Sequence, residues 1–131
     1  MIRGIGTDLV KTSRVSASID RWGDRFAQKI LTDFEFSKFE TSQNKINFLA
    51  KRFAAKEAVA KALGTGMRSG VHFSGIEIKH HRSGAPFVIL YAGAQKRADE
   101  MGVQRSHLSI SDDKGYAIAF AVFEGDEIST D

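Results

Sequence analysis

The sequence predicts an α+β fold in which an antiparallel sheet packs against a long central helix and several shorter helices. Apolar residues alternate along short stretches near both ends of the chain, as they do in strands. The stretch 45–63 is rich in alanine and contains neither Gly nor Pro, as expected of a helix. Because 131 residues is an ordinary domain size, we expect residues 1–131 to form a single domain with its own core.

The first half of the chain predicts one strand followed by short helices. Residues 2–10 combine apolar side chains with two glycines, which favours a strand that another part of the backbone approaches closely. A helix is predicted from Ser13, which is placed to cap it, and Gly23 should end it. Two short helices follow, the second capped by Thr32 or Asp33, over residues 26–31 and 34–39.

The strongest helix pattern runs from about Lys45 to Leu63. Its apolar residues recur at helical spacing, and five alanines favour the helical backbone, at positions 50, 54, 55, 58 and 62. Gly64-Thr65-Gly66 follows directly, so we predict that the helix ends there in a loop.

The second half of the chain changes to the two-residue period of strands. Residues 75–79 and 86–91 are predicted to form a hairpin around a turn at 82–85, since Pro86 suits the first residue of a strand. One more helix and two strands are predicted after it, over 92–101, 107–111 and 116–123. The acidic tail beyond the last strand is expected to fray.

Several function classes are excluded by what the sequence lacks. It has no cysteine, so disulfides, thiolate zinc sites and cysteine nucleophiles are ruled out. It has no nucleophile-elbow, dinucleotide-binding or Walker pattern. The four histidines fit no zinc motif, and His72, His80 and His81 are predicted to lie at the surface. No apolar run reaches the roughly 20 residues of a membrane span, so we expect a cytoplasmic protein without membrane contact.

The formal net charge is +3, which by itself indicates no polyanionic partner. The charge is unevenly distributed, because residues 1–70 carry a net +6 and residues 71–131 a net −3. An anionic ligand should therefore be attracted to the first half of the chain.

Charged residues at helical spacing are the most informative feature of the central helix. Arg52 and Lys56 share one face, and Glu57 and Lys61 share the adjacent face. One interpretation is a solvated surface with a Glu57–Lys61 ion pair worth about 0.2–0.5 kcal/mol. The other is a carboxylate for a hard cation beside cations for phosphates, followed by a glycine loop that a ligand can approach.

Asp8 supplies a second carboxylate at the polar end of the first predicted strand. Magnesium takes one or two carboxylates together with phosphate and water oxygens, so Asp8 and Glu57 together would suit it. The alternative is that Asp8 only caps the segment that follows the strand.

Four motifs occur in order over nearly the whole chain: Ile5-Gly6-Thr7-Asp8, Arg52-Phe53-Ala54-Ala55-Lys56-Glu57-Ala58 continued to Lys61-Ala62, Gly64-Thr65-Gly66, and His107-Leu108-Ser109-Ile110-Ser111. Together they resemble the holo-acyl-carrier-protein synthases, the small group of 4′-phosphopantetheinyl transferases. The resemblance implies the 4′-phosphopantetheinyl transferase fold. It also implies transfer of phosphopantetheine from coenzyme A to a serine of apo acyl carrier protein, in fatty acid biosynthesis, with Mg²⁺ and release of 3′,5′-ADP.

The resemblance further implies roles for individual residues. Asp8 and Glu57 match the magnesium ligands, and Lys61 matches the lysine near the pyrophosphate, so Glu57 and Lys61 are the candidate catalytic residues. The positions that line the nucleotide and its 3′-phosphate match Arg52, Gly64, Thr65, Gly66 and His107. The helix presented to the acidic helix of the carrier protein carries Arg14, Arg21 and Arg25. Because members of the group usually assemble as trimers with active sites between subunits, a homotrimer is implied.

In this chemistry the serine hydroxyl attacks the β-phosphate of the coenzyme A pyrophosphate. The general base could be Glu57 or a metal-bound water, with Asp33 and Glu35 as weaker candidates. The sequence does not choose between them.

Two other function classes stay open. Basic side chains could track the phosphates of a nucleic acid, namely Lys51, Arg52, Lys56 and Arg68. A catalytically inactive relative that only binds the carrier protein is also possible, because Asp112 follows Ser111 where many members of the group have a histidine.

Overall fold

The helices and strands follow the predicted order, with small shifts at their ends. The computed structural model describes residues 1–127, so the last part of the predicted acidic tail, 128–131, lies outside the described residues. The elements are β1 (Ile2–Lys11), α1 (Thr12–Trp22), α2 (Asp24–Ile30), α3 (Asp33–Glu40), α4 (Lys45–Ala62), β2 (Ile76–His80), β3 (Pro86–Leu90), α5 (Ala92–Met101), β4 (Arg105–Asp113) and β5 (Tyr116–Glu124).

The strands are antiparallel throughout, which confirms the predicted α+β class. They form two sheets: a three-stranded sheet in the order β1-β5-β4, and the β2-β3 hairpin. In the larger sheet Asp8 lies opposite Ala119, which in turn lies opposite Ile110. β3 packs beside β4 without joining its hydrogen-bonded ladder, so the two sheets stay separate.

α4 lies very close to one face of the three-stranded sheet. A Cβ atom added to Gly6 would stand only 2.0 Å from the Ala58 carbonyl oxygen, and one added to Gly4 would meet the Ala62 carbonyl at the same distance. The facing residues of β5 are fully or almost fully buried alanines, at positions 117, 119 and 121. The close backbone approach predicted from the strand glycines is therefore confirmed, and it brings the end of β1 against α4.

The opposite face of the same sheet is apolar but exposed. Ile5 and Leu9 of β1 are each 61% exposed, and Ile118 and Phe120 of β5 are 45% and 46% exposed. Because Leu9 lies opposite Ile118, these side chains stand next to one another on the sheet. A contiguous exposed apolar patch of this kind is typical of a surface that another protein molecule covers.

The helix ends show one confirmed cap and one wrong one. Thr32, one of the two residues predicted to cap this helix, caps α3 in a capping box with Glu35. Ser13 does not cap α1, because the helix begins one residue earlier and has no side-chain cap. The Thr12 backbone N–H instead donates to the Gly115 carbonyl at 2.9 Å, so the chain passes from β1 into α1 without needing one.

Within residues 1–127, every helix is too short or too polar to cross a membrane.

Candidate active site

Asp8, Glu57 and Lys61 come together where β1 crosses α4. Lys61 Nζ donates to Asp8 Oδ1 at 3.1 Å and to the Thr7 carbonyl at 2.9 Å. Glu57 lies one turn earlier on α4 and lines the same cavity as Asp8. Asp8 therefore faces α4, and the alternative in which it only caps the following segment is wrong, since α1 has no side-chain cap.

Glu57 has an unusual electrostatic environment. Burial, and then the negative charge of Asp8, raises the pKa of Glu57 above its ordinary value, while Lys61 acts in the opposite direction. Lys61 pairs with Asp8 of the neighbouring strand, so the simple surface pair between Glu57 and Lys61 does not describe this face of α4. A carboxylate whose ionisation is disfavoured by burial and by a second carboxylate marks a favourable place for a cation.

The carboxylates of Asp8 and Glu57 fit a magnesium ion that takes its remaining ligands from a substrate phosphate and water. Magnesium needs oxygen ligands and commonly takes only one or two carboxylates from the protein, with phosphate and water oxygens completing the shell. Asp8 and Glu57 provide that number. Residues 1–127 contain no group of three or more His, Asp or Glu side chains arranged to hold a metal by themselves.

A cavity of about 270 Å³ opens beside the two carboxylates. Its other walls are mainly apolar, with Val15, Phe26 and Phe53, and Arg14 of α1 also lines it. Phe26 lines a second cavity as well, together with Arg25 and two further residues, Trp22 and Lys29. The structure thus places the predicted docking residue Arg14 next to Asp8 and Glu57.

The other two predicted docking residues lie on the same exposed surface. Arg25 lines the second cavity, and the Arg21 guanidinium stands 4.9 Å from the centroid of the exposed Trp22 ring. A row of three cations thus extends from the carboxylates along α1 and the start of α2.

Arg52 and Lys56 occupy the other charged face of α4, and this face is buried. Arg52 is 7% exposed and Lys56 is inaccessible to solvent. Both pair with Glu35 of α3, Lys56 Nζ at 2.6 Å and Arg52 Nε at 3.2 Å. The solvated interpretation is therefore wrong for these two residues, and Lys56, which solvent does not reach, cannot contact the phosphates of a nucleic acid.

Arg52 also lines a cleft of about 450 Å³ that is separate from the carboxylate cavity. Basic and aromatic side chains dominate the rest of its lining: Phe34, Lys38, Phe48, Lys51, Lys79, His80 and Phe87. Partial desolvation in this cleft, and then the charges of Arg52 and Lys51, lowers the pKa of His80. The cleft therefore has a strongly positive potential that favours an anion.

The weaker candidates for the general base do not reach the site. Glu35 is completely buried and both of its oxygens are engaged, so it cannot receive a proton from a substrate. Asp33 is exposed on α3 and lies outside the lining of the carboxylate cavity. Glu57 is the only one of these three carboxylates in contact with the cavity.

The glycine loop after α4 is built as predicted. Gly64 and Gly66 have φ angles of 78° and 64°, which favour glycine. Thr65 lines a third cavity, of about 550 Å³, together with Lys96 and Arg97 of α5. Sequence reasoning missed these two cations, because no local motif marks them and only the packing of α5 against the loop brings them there.

Arg97 also holds the loop itself. Its Nε donates to the Leu63 carbonyl at 2.8 Å, at the C-terminal end of α4.

His107 lies away from the other predicted site residues. It is opposite Val122 in β5, and Val122 is opposite Ile5, so His107 belongs to the exposed apolar face of the sheet. Its Nε2 is 2.5 Å from Glu124 Oε1. Because Asp8 faces α4 on the other side of the sheet, a single chain does not bring these two residues into one site.

Asp112, which replaces the expected histidine, contacts the first half of α4. Its Oδ2 accepts a hydrogen bond from Asn47 Nδ2 at 3.2 Å, and its Oδ1 is 3.8 Å from Lys51 Nζ. Asp112 therefore links β4 to the N-terminal half of α4, whereas Glu57 lies in the C-terminal half of that helix.

Comparison with known proteins shows the family of the chain. The sequence model of the 4′-phosphopantetheinyl transferase superfamily matches residues 4–121. The chain is 48% identical over 130 residues to the holo-[acyl-carrier-protein] synthase of Shewanella halifaxensis, covering 95% of this chain and 99% of that one. The crystal structure of the synthase from Neisseria meningitidis has a TM-score of 0.90 at 44% identity, over 95% of this chain and 99% of that one.

A third relative carries a ligand. The structure of the holo-(acyl-carrier-protein) synthase from Bacillus anthracis, in complex with CoA (3′,5′-ADP), has a TM-score of 0.81 at 34% identity, and covers 96% of this chain and 99% of that one. The family model, the extensive sequence identity and the shared fold lead to one conclusion. The chain belongs to the 4′-phosphopantetheinyl transferase superfamily, as an enzyme of its holo-[acyl-carrier-protein] synthase family.

Proposed function

We propose that this enzyme transfers 4′-phosphopantetheine from coenzyme A to a serine of apo acyl carrier protein, with Mg²⁺, and releases 3′,5′-ADP. The observation that carries the proposal is the cluster of Asp8, Glu57 and Lys61 beside a cavity. The Bacillus anthracis relative, described in complex with CoA (3′,5′-ADP), supports coenzyme A as the donor.

Asp8 and Glu57 are the residues that would hold the magnesium ion. When bound, the ion would polarise the attacked phosphate and stabilise the charge of the leaving group. Lys61 adds a second positive charge at the same place. Two of its three N–H donors bind Asp8 and the Thr7 carbonyl, which leaves one for a phosphate oxygen.

Glu57 is also suited to accept the proton of the attacking serine hydroxyl. A general base must lie within reach of the proton it accepts, and Glu57 is the one of the three candidate carboxylates that lines the cavity. In the transfer the serine oxygen forms a bond to the β-phosphorus and the bond to the leaving 3′,5′-ADP breaks. The proton passes from the serine Oγ to a Glu57 carboxylate oxygen.

Arg14, Arg21 and Arg25 would dock the carrier protein. All three are exposed, and they follow one surface that begins at the carboxylate cavity. An acidic partner would be steered to this surface by complementary charge. Contact with Arg14 would then hold the partner's serine close to Asp8 and Glu57.

We also propose a homotrimer with composite sites between subunits. The exposed apolar face around Leu9 and Ile118 would be covered in such an assembly. His107 lies on that face, so a neighbouring copy could contribute it to a site that its own chain cannot reach. Replacing Ile118 by Lys should dissociate the oligomer, as measured by light scattering coupled to gel filtration. A wild-type protein that is monomeric at micromolar concentration would disprove this part of the proposal.

The mass of the carrier protein tests the main proposal. Incubation of the enzyme with coenzyme A, Mg²⁺ and apo carrier protein should add one phosphopantetheine to the carrier, and chromatography should detect one 3′,5′-ADP per transfer. A carrier whose acceptor serine is replaced by Ala serves as the control, and chelation of Mg²⁺ should stop the reaction. An unchanged carrier mass under metal-replete, reducing conditions would exclude the proposal, and would also leave the inactive carrier-binding relative as the better description.

A further inference from the structure

A buried ion network links α3, α4 and β2, and the proposed chemistry does not use it directly. At its centre is Glu35, which is completely buried. One oxygen accepts from the Thr32 backbone N–H at 2.9 Å and pairs with Lys56 at 2.6 Å. The other accepts from the Ile78 backbone N–H at 3.0 Å and pairs with Arg52 at 3.2 Å. All the acceptor positions of the carboxylate are therefore in use.

Lys56 completes the network on one side. Besides Glu35, its Nζ donates to the Ile30 carbonyl at 2.8 Å and to the Phe73 carbonyl at 3.0 Å. Its three donors are thus all satisfied inside the protein, and none is left for a ligand. Lys56 connects the network to the end of α2 and to the turn before β2.

Arg52 forms the other side of the network, and it differs from Lys56 because it reaches a surface. Its guanidinium stacks 4.5 Å from the centroid of the Phe48 ring and lines the basic cleft. The ion pair with Glu35 uses Nε, so the N–H groups on Nη1 and Nη2 are not consumed by it. A planar guanidinium held at one end and stacked on an aromatic ring is well arranged for bidentate binding of a phosphate.

We propose that Glu35 is a positioning residue, which holds the Arg52 guanidinium in the orientation that binds the 3′-phosphate of coenzyme A. This inference rests on the proposed function and on the nucleotide-lining role that the family resemblance implies for Arg52. A free arginine side chain would lose rotamer freedom when it bound a phosphate. Glu35 and Phe48 restrict it beforehand, so that the enzyme binds the phosphate more tightly.

A role in positioning differs from a role in stability. Buried ion pairs contribute little net stability compared with apolar residues of the same volume, so folding alone is weak grounds for this network. Positioning predicts a loss that depends on one chemical group of the substrate, the 3′-phosphate. A purely structural role predicts an equal loss for substrates with and without that group.

The test compares coenzyme A with dephospho-coenzyme A, which lacks only the 3′-phosphate. In Glu35→Gln the preference for coenzyme A, measured as the ratio of the two kcat/KM values for carrier modification, should fall about tenfold, the size of one charge-assisted hydrogen bond. Most of this change should appear in KM. Lys56→Met is the matched control, because it breaks the other half of the network while Glu35 still faces Arg52, and it should keep the wild-type ratio.

Arg52→Lys gives a second way to test the same inference, and it retains a buried cation beside Glu35. It should lower the ratio to the Glu35→Gln value, and the double variant should lower it no further, since both changes disable one contact. If Glu35→Gln does not fold, Glu35→Asp, which keeps the charge on a shorter side chain, should lower the ratio in the same direction. An unchanged ratio in a folded Glu35 variant, or additive effects in the double variant, would overturn the inference. Failure of the proposed function is distinguishable, because the wild-type enzyme would then modify no carrier with either substrate.

Discussion

The two charged faces of α4 each carry a pair of charged side chains four residues apart, but they have opposite environments. Arg52 and Lys56 lie inside the protein, where both pair with Glu35 and Lys56 also donates to backbone carbonyls. Glu57 lines a cavity, and Lys61, whose side chain is 51% exposed, pairs with Asp8 of the same cavity. The difference shows that the capacity to bind a ligand depends on which charges the fold leaves with free donors or acceptors.

The comparison also separates two ways in which a charge can serve catalysis. On the face of Glu57 and Lys61, here called the open face, these two residues and Asp8 can still bind a metal and a phosphate. On the face of Arg52 and Lys56, here called the closed face, the ion pairs with Glu35 hold the helix and the Arg52 side chain in place. Variants of Glu57 or Lys61 should therefore mainly affect the transfer reaction, whereas variants of the buried network should affect stability and, through Arg52, the binding of coenzyme A.

The largest effect is expected for Glu57→Gln on the open face. Loss of a metal ligand and proton acceptor should reduce carrier modification by about 10²–10⁴-fold, as judged by the mass of the carrier over time. The fold should remain intact. Because burial raises the pKa of Glu57, its charge is less favourable in the folded protein than in the unfolded chain, so a neutral glutamine should leave the midpoint of unfolding unchanged or higher.

Glu40→Gln is the matched control, since Glu40 is an exposed residue at the end of α3. It should retain wild-type transfer. Full activity of Glu57→Gln would show that the open face is not the catalytic one, and the comparison would fail.

The next largest effect is a difference in the free energy of unfolding between Lys56→Met and Lys61→Met, measured by urea denaturation. Removing Lys56 leaves part of the buried Glu35 charge uncompensated and should cost about 3–5 kcal/mol in the free energy of unfolding. Lys61 itself is half exposed, so water screens its pair with Asp8, and removing it should cost less than about 1 kcal/mol, although transfer activity should drop. Equal costs for the two variants would contradict the distinction between a closed and an open face.

The smallest effect concerns His80, which lines the cleft where the closed face reaches the surface. Its pKa is lowered in the folded protein, by desolvation and by the charges of Arg52 and Lys51. A lowered histidine pKa means that the fold loses stability as the pH falls from about 6.5, the ordinary value, through the native pKa.

NMR titration of the His80 imidazole should measure its lowered pKa directly. Lys51→Ala should raise the pKa of His80, and bound coenzyme A should raise it as well, because an anion favours the protonated ring. The spectrum of His80→Gln identifies the resonance. A titration midpoint at or above 6.5 in the free protein would contradict the positive potential assigned to the cleft.

Local patterns predicted most of the elements correctly. The predicted end of the central helix differs from the observed end by one residue, and Gly64 and Gly66 adopt the positive φ angles expected of a helix-ending loop. The cap at Ser13 was wrong because the backbone of a distant turn, at Gly115, replaces a side-chain cap. The final hairpin strands are longer than predicted, since β4 extends two residues further at each end and β5 continues by one residue to Glu124.

Site residues that belong to a motif of neighbouring residues could be predicted from the sequence, and those brought together only by packing could not. Glu57 and Lys61 stand out in the sequence because they are spaced one helical turn apart before a glycine loop. Lys96 and Arg97 carry no such signal, and only the packing of α5 shows that they flank Thr65. The separation of His107 from Asp8 follows from strand register, which hydrophobic alternation alone did not specify.

The sequence by itself determined the order of the helices and strands, a close backbone approach at the glycines of β1, and the set of charged residues available for chemistry. Tertiary structure alone decided which of those charged side chains are buried in an ion network and which remain accessible to a ligand. Helical periodicity and turn chemistry act over a few residues, so they can be read locally. The partner of a buried or half-buried charge is a matter of three-dimensional packing, as shown by Lys61 and Asp8, which are 53 residues apart in the chain.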